Sequence, residues 1–418
     1  MLNWKKCKLD DVATTTTTKI GCSDITSNYI STENMLPDKG GVVAASSFPS
    51  TGNVSTYQKG DVLVSNIRPY FKKIWHATVD GTASNDVIVF HANGGVNSRY
   101  LYYILADDNF FAYVMTGAKG TKMPRGDRKQ ILQYPVNLPP VEEQKRIAQI
   151  LGSLDDKIEL LQKQNKTLED MAKAIFKSWF VDFDVVHAKQ KGLPKADIMR
   201  EYHLTDELYD LFPSDFENSS LGPIPLGWQV KTVQDLGEVV CGKTPSTSHK
   251  EFYGGNIPFI TIPDMHDSVF ANKTERYLTN EGEQSQPTKT LPPFSVCVSC
   301  IATPGLVTMT TTHSQTNQQI NSVIPHNLEA KFYNYYVLRS VADQIRAQGS
   351  GGSVFVNLNK TAFSKIKVLW ADQTLQKLFT KESAIYFDKI LNNLKQIQTL
   401  TELRDTLLPP LISGKIRV

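Results

Sequence analysis

The stretch Val141-Glu142-Glu143-Gln144-Lys145-Arg146-Ile147 opens a run that continues to about Phe180 without a helix breaker, and the run from Ala371 to Leu408 repeats it. Gln144-Lys145 aligns with Gln376-Lys377, Asp156-Lys157-Ile158 with Asp388-Lys389-Ile390, and Leu168 with Leu400, each pair 232 residues apart. A long helix duplicated in register, each copy preceded by a globular segment, predicts a pseudo-two-fold molecule with two similar but non-identical heads. In the first copy Ile147, Leu151, Leu154, Ile158, Leu161, Asn165, Leu168, Ala172 and Ile175 alternate spacings of four and three. That is the stripe of a helix packed lengthwise on another helix. In the second copy Ile390, Leu394, Ile397, Leu400 and Leu407 carry a less regular seam. Forty helical residues span about 60 Å. Asn165 on the seam costs stability but can fix register. The simplest arrangement packs the two helices antiparallel on each other; the alternative packs each on its own head alone.

Outward from the helices, residues 1–140 form the first head, 141–180 the first helix, 181–227 a connector, 228–370 the second head, and 371–418 the second helix with a tail. Leu138-Pro139-Pro140 closes the first head, where proline stops one element and permits a helix to begin. Asp61-Val62-Leu63-Val64-Ser65 and Asp86-Val87-Ile88-Val89-Phe90 read as strands. With the long helices they give an α+β chain. The connector carries Gly192-Leu193-Pro194, Asp210-Leu211-Phe212-Pro213 and Gly222-Pro223-Ile224-Pro225, punctuation that resists a single helix. The second head begins as the first does: Trp4 precedes Leu9-Asp10-Asp11-Val12, and Trp228 precedes Val233-Gln234-Asp235-Leu236, at an offset of 224. Val62-Leu63-Val64-Ser65 matches Val296-Cys297-Val298-Ser299 at 234, Ser84-Asn85-Asp86 resembles Thr316-Asn317-Gln318 at 232, and Tyr102-Tyr103-Ile104-Leu105 matches Tyr335-Tyr336-Val337-Leu338 at 233. These tyrosines lie in apolar helical runs and read as core. The offset wanders in the heads and is constant in the helices.

Hydrophobic residues make up 40% of the 418 and charged residues 21%, ordinary for a globular protein with real cores. The formal charge of +3 decides nothing about partners. Met1-Leu2-Asn3-Trp4-Lys5-Lys6 lacks the apolar core of a signal peptide. No stretch is apolar for long enough to predict a membrane span. Five cysteines, at 7, 22, 241, 297 and 300, fit free thiols in a reduced, cytoplasmic setting.

Gly237-Glu238-Val239-Val240-Cys241-Gly242-Lys243-Thr244 satisfies a phosphate-loop pattern, which requires a helix to follow. Pro245-Ser246-Thr247-Ser248 reads as a turn instead. Cys297-Val298-Ser299-Cys300 lacks the second pair that structural zinc needs and reads as a strand with buried thiols. No nucleophile triad, metal set or S-adenosylmethionine motif is evident, so the chain is expected to carry no catalytic residue and no metal.

The candidate recognition residues lie in loops. Asn66, Arg68, Tyr70, Lys72 and Lys73 follow a strand, and Lys119, Lys122 and Arg125 stand in a second basic, glycine-rich loop. Lysine and arginine suit phosphate contacts, and arginine also reads guanine edges. The counterparts in the second head are polar: Lys243, Thr244, Ser246, Thr247, Asn317, Gln318 and the Gly351-Gly352-Ser353 segment. Asparagine and glutamine suit adenine, and hydroxyls contact phosphate or base edges.

The chain resembles the specificity subunit of a type I restriction-modification system over its whole length. The resemblance is carried by Leu138 to Ile147, Ala174-Ile175-Phe176-Lys177-Ser178-Trp179-Phe180-Val181-Asp182-Phe183-Asp184, Leu221 to Trp228, Gly242-Lys243-Thr244-Pro245-Ser246, and Leu407 to Val418. One departure is Ala371-Asp372-Gln373-Thr374, where the family repeats a proline pair, so a weaker cap is expected on the second helix. The resemblance implies two pseudo-repeated target-recognition domains joined by two long antiparallel coiled-coil helices. Each domain would read half of a split site in double-stranded DNA, with the helices as the ruler between halves. It also implies two modification subunits that supply S-adenosylmethionine and adenine methylation, and two restriction subunits that use ATP and magnesium, with no cofactor bound by this chain. A scaffold whose heads bind protein or glycan fits the same architecture but leaves the basic loops unexplained. A specificity subunit for a fused restriction–methylation enzyme is the nearer alternative.

Overall fold

The computed structural model describes residues 4–25, 27–266, 268–301, 303–349 and 358–418. It divides into two compact units, Met1–Leu160 with Ile397–Val418, and Leu161–Gln396. Gly351-Gly352-Ser353 lies outside the described residues.

In the first unit, strand Lys5–Lys8 pairs antiparallel with Pro135–Leu138, placing Lys5 opposite Leu138. One helical turn follows, Leu9–Val12, held at its start by the Asp11 carboxylate, which accepts the Lys8 amide at 2.8 Å. The main sheet orders Ala13–Thr15, Val87–Ala92, Val62–Ser65 and Ile74–His76, all antiparallel. The strand runs read from the sequence are thus neighbours at its centre. A second sheet orders Lys19–Gly21, Asn53–Tyr57, Gly81–Ala83 and Tyr29–Ile30. Helices Ser98–Ala106 and Asp108–Thr116 bring Tyr100, Leu101, Ile104 and Phe110 into the core. Ile147 and Leu151 join them from the first long helix, and Leu408 and Leu411 from the end of the second.

The second unit repeats this order. Gln229–Thr232 pairs with Lys367–Trp370, and the turn Val233–Leu236 is closed by a reciprocal Thr232–Asp235 cap. A five-stranded sheet runs Gly237–Cys241, Ile320–Pro325, Val296–Ser299, Val307–Thr310, Phe270–Ala271, and a three-stranded one Arg276–Leu278, Tyr253–Ile260, Gln315–Thr316. Helix Lys331–Gly349 packs Phe332, Tyr333, Tyr335 and Tyr336 against Phe176, Phe180, Phe379 and Phe387 of the long helices. The connector folds into this unit as helices Asp184–Gln190, Lys195–Glu201 and Asp206–Leu211 and the hairpin Phe216–Ser219 with Gly222–Pro225. Tyr103, Tyr335 and Tyr336 are buried; Tyr102 is partly buried against the core.

Both long helices, Val141–Phe180 and Gln373–Ile412, have 40 residues. They run antiparallel within each unit. In the second, Asn165 meets Asn393 while Phe176 meets Phe379; in the first, Asp155 meets Arg404 while Arg146 reaches the carbonyl of Val418. Each also packs on its head. Ile147, Leu151, Ile158, Leu161 and Ile390 are buried, and Leu154, Asn165, Leu168, Leu394, Ile397 and Leu400 are half-buried.

The duplicated glutamines have a shared task. Gln144 donates to the carbonyl of Pro139 at 2.9 Å and Gln376 to that of Ala371 at 2.8 Å, each tying the helix to the strand before it. Two expectations at the second helix are corrected. Its start is well capped, because the Asp372 carboxylate accepts the amides of Thr374 and Leu375 at 2.8 and 3.2 Å. Its end is not Leu408: the helix runs through Pro409 and Pro410 to Ile412. Proline there leaves the carbonyls of Asp405 and Thr406, both exposed residues, without their usual amide donors, while Leu408 and Leu411 stay buried. Among the described residues, no helix is long and apolar enough to cross a membrane.

Candidate nucleic-acid interface

In the first unit the structure joins the two basic loops. The Arg68 amide donates to Pro124 at 2.8 Å, Gly126 to Asn66 at 3.2 Å, and Lys119 and Arg125 exchange backbone bonds at 2.9 Å. Gly126 has no room for a side chain: a Cβ would stand 2.8 Å from Asn66 Oδ1. The Asp38-Lys39 turn joins as well, donating to the carbonyls of Phe71 and Lys72. Arg68 and Lys72 adopt left-handed backbone, with φ of 50° and 51°. So does Lys39, at 63°.

The candidates differ in how they are held. Arg125, Lys119, Lys122 and Tyr70 are exposed. Arg125 pairs with Asp86 at 3.1 Å and Lys119 with Asp127 at 3.6 Å, both across exposed groups. Lys72 and Lys39 share Asp108 at 2.9 and 3.0 Å. Burial alone would raise that carboxyl, but the hydrogen bonds from Lys72 and Lys39 outweigh it and hold it below the usual carboxylate range. Lys73 is half-buried, and its ammonium donates to the Thr32 carbonyl at 2.6 Å. Burial first, and then the nearby Arg68 charge, lower its pKa. Asn66 is half-buried under Gly126, with its side-chain oxygen enclosed. Lys39 and Arg128, whose guanidinium donates to the Asn85 carbonyl at 2.8 Å, belong to this face and escape sequence reading. The turn Asp38-Lys39-Gly40-Gly41 is the signal that marks Lys39.

In the second unit all six candidates come together. Lys243 donates its amide to Thr316 at 2.9 Å, and Thr244 Oγ1 donates to Oε1 of the exposed Gln318 at 2.8 Å. Both ends of the Asn317 side chain are engaged with Gln319. Ser246 and Thr247 are exposed, and Ser246 shares a hydrogen bond with Ser248 at 2.7 Å. Beneath the loop lies a buried pair: Gln286 donates to the Lys243 carbonyl at 2.6 Å and to Gln315 Oε1 at 2.8 Å, while Gln315 donates to Glu283, Gln286 and Thr290. An open cleft of about 540 Å³ adjoins Thr247, lined by Lys250, Tyr253, Arg276 and Tyr277.

The phosphate-loop pattern is strand from Gly237 to Cys241, and the next helical turn begins at Lys250. The Gly242 and Lys243 amides are bonded to Ile320 and Thr316, so this backbone offers no cradle for phosphate. Cys297, in strand Val296–Ser299, and Cys300, just past its end, are buried in separate cores. Burial pushes the Cys297 thiol up to about 12 and that of Cys300 to about 11. Among the described residues, no group of three or more His, Cys, Asp or Glu side chains is placed to hold a metal ion.

The two clusters share one element. The turn entering the central strand, Ser84–Asp86 in the first unit and Thr316–Gln318 in the second, contributes to both. Cations gather on it in the first unit, hydroxyls and amides in the second.

Residues 1–170 and 225–398 match the family described as the type I restriction modification DNA specificity domain. The chain is 37% identical over 402 residues to the type I restriction enzyme HindI specificity subunit of Haemophilus influenzae, covering 86% of this chain and 87% of that one. It is 29% identical over 193 residues to the MjaIX specificity subunit of Methanocaldococcus jannaschii, covering 45% and 44%. Its fold is similar to the crystal structure of a type I restriction-modification S subunit from M. genitalium, with a TM-score of 0.54 at 15% identity over 98% and 96% of the two chains.

Proposed function

Because the chain belongs to the type I restriction-modification DNA specificity family, we propose that it reads a split, asymmetric site in double-stranded DNA, one half with each unit's loop cluster. The observation that carries this reading is the shared turn: the same place in the fold is dressed with cations in one unit and with hydroxyls and amides in the other. Equal architecture with unequal chemistry suits two different half-sites. Lys72, Lys119 and Lys122 act on phosphates and give affinity and salt dependence. Arg125 and Gln318 act on base edges, with Arg68, half-buried and with its Nε enclosed, beside them, supported by Tyr70, Lys243, Thr244, Ser246 and Thr247. Asn66, Lys73 and Asn317, whose polar groups are engaged or enclosed within the loops, hold those loops in shape. The paired helices set the number of unread base pairs between half-sites.

In this reading the chain contributes recognition rather than chemistry. Two modification subunits and two restriction subunits assemble on it in the cytoplasm, and S-adenosylmethionine, ATP and magnesium belong to them. The test is single-molecule mapping of adenine methylation in cells expressing this chain with its cognate modification subunit. A split, asymmetric methylated motif is expected. No motif, from a modification subunit active with another specificity subunit, would refute the reading.

A further inference from the structure

We propose that the two long helices carry a heterospecific pairing code: each fits the other and not a second copy of itself. The offset of 232 assigns every helix residue a counterpart, and Asp155, Arg404, Asn165 and Asn393, which make polar contacts between the helices, all have apolar counterparts, whereas Gln164 has Gln396. In the first unit Asp155 accepts hydrogen bonds from Arg404 at 2.9 Å and from the Tyr103 hydroxyl at 2.6 Å. The counterparts of Asp155 and Arg404 are Phe387 and Ala172, and Phe387 stacks on Phe332 with ring centroids 4.0 Å apart. In the second unit Asn393, fully buried, donates to Gln164 at 2.9 Å and Asn165 at 2.8 Å. The counterparts of Asn393 and Asn165 are Leu161 and Ile397.

Self-pairing therefore leaves Asp155 and Arg404 without each other and sets an apolar residue opposite Asn165 and Asn393. Two first helices set antiparallel would put Asp155 against Ala172 and Asn165 against Leu161. Two second helices would put Arg404 against Phe387, and Asn393 against Ile397 with Gln396 in the place of Gln164. Bulk agrees with polarity. Leu408 and Leu411 fill the first unit's core where their counterparts, Phe176 and Trp179, fill the second's. Exchange would overpack one core and leave voids in the other. A buried acid or base without its partner is disfavoured on the order of a hundredfold or more.

The test uses the full chain with a specific protease site inserted between Gly192 and Leu193, in an exposed turn. The folded chain is cut, and preparations with tagged and untagged first halves are mixed in urea just sufficient for second halves to exchange. Where exchange occurs only on unfolding, the mixture is refolded by dilution. Capture of untagged second halves by tagged first halves sets the scale. Capture of untagged first halves is expected at about a hundredth of that level or less, from the penalty above. Comparable capture overturns the proposal. In a second arm the first half carries Asp155→Leu and Asn165→Leu. Self-capture should then rise at least roughly tenfold, since the unpaired buried groups are gone. An unchanged level would place the selectivity in bulk alone and overturn the polar code.

Discussion

Replacing Arg404 by alanine should loosen the first unit measurably. The Arg404 side chain is 12% exposed and that of Asp155 20%, so the pair sits largely out of water. Removing one member of a buried pair costs roughly 3–5 kcal/mol, because the survivor is left without its counter-ion. The Tyr103 hydroxyl, 2.6 Å from Asp155, remains and softens that loss. Partial exposure softens it further, so about 2–3 kcal/mol is expected. For a unit of this size about 2–4 °C of melting temperature is lost per kcal/mol, giving a fall of roughly 4–12 °C. Hydrogen exchange should locate the change in residues 141–160 and 397–412, with amides of the second unit unaltered. The double variant Asp155→Leu with Arg404→Met removes both charges and keeps the volume. It should return to within about 1 kcal/mol of the parent or exceed it. A single variant that melts within about 1 °C of the parent, or a double variant as unstable as the single, would refute the reasoning.

Asn393→Leu should change stability by less than about 1 kcal/mol: two hydrogen bonds are lost, but a buried carbonyl oxygen with no partner goes with them. Urea unfolding measures this. Gln144→Ala should cost about 1–2 kcal/mol more than Gln376→Ala, since Gln144 also accepts the Asn97 amide at 2.9 Å and donates to Gly95 at 3.4 Å. Melting temperatures of the two variants decide it. His76 is held neutral, its pKa lowered to about 4 by burial and by the Arg99 charge. A depressed folded pKa gives stability that is complete above the unfolded value of about 6.5 and is lost as pH falls toward 4, by about 2–3 kcal/mol. His76→Phe should flatten that part of the stability–pH curve. Lys122→Ala should lower the slope of log affinity against log salt by about 0.9 at unchanged melting temperature, while Lys73→Ala should lower the melting temperature. Equal behaviour of the two would contradict their different settings.

The long helices were legible because periodicity is a local signal and the duplication doubled it. The ends were not. Asp372 is an ordinary cap residue, but an aspartate two residues before a run does not by itself show that its carboxylate turns back onto the amides of Thr374 and Leu375. Pro409-Pro410 reads as a stop because a sequence does not show that Leu411 has a core to enter. Gln144 and Gln376 were visible as a match, but their task is fixed by carbonyls five residues back, at Pro139 and Ala371. The loop candidates were recognisable by type. Their sorting into exposed groups such as Lys122 and engaged ones such as Lys73 depends on Thr32, 41 residues away. No local pattern encodes that.

The two-stranded ribbons at the base of the heads have a consequence for how such a chain changes. Lys5 lies opposite Leu138, and Gln229 opposite Trp370, so the chain enters and leaves each head through one doorway. Residues gained or lost beyond the doorway do not move its jambs, and neither helix feels a slip. This is why the offset drifts between 224 and 234 inside the heads yet stays at 232 along the helices. A head exchanged for another would rejoin at four short strands whose pairing is main-chain hydrogen bonding, and would still have to fit the helix residues that enter its core, such as Leu151 in the first unit and Phe387 in the second.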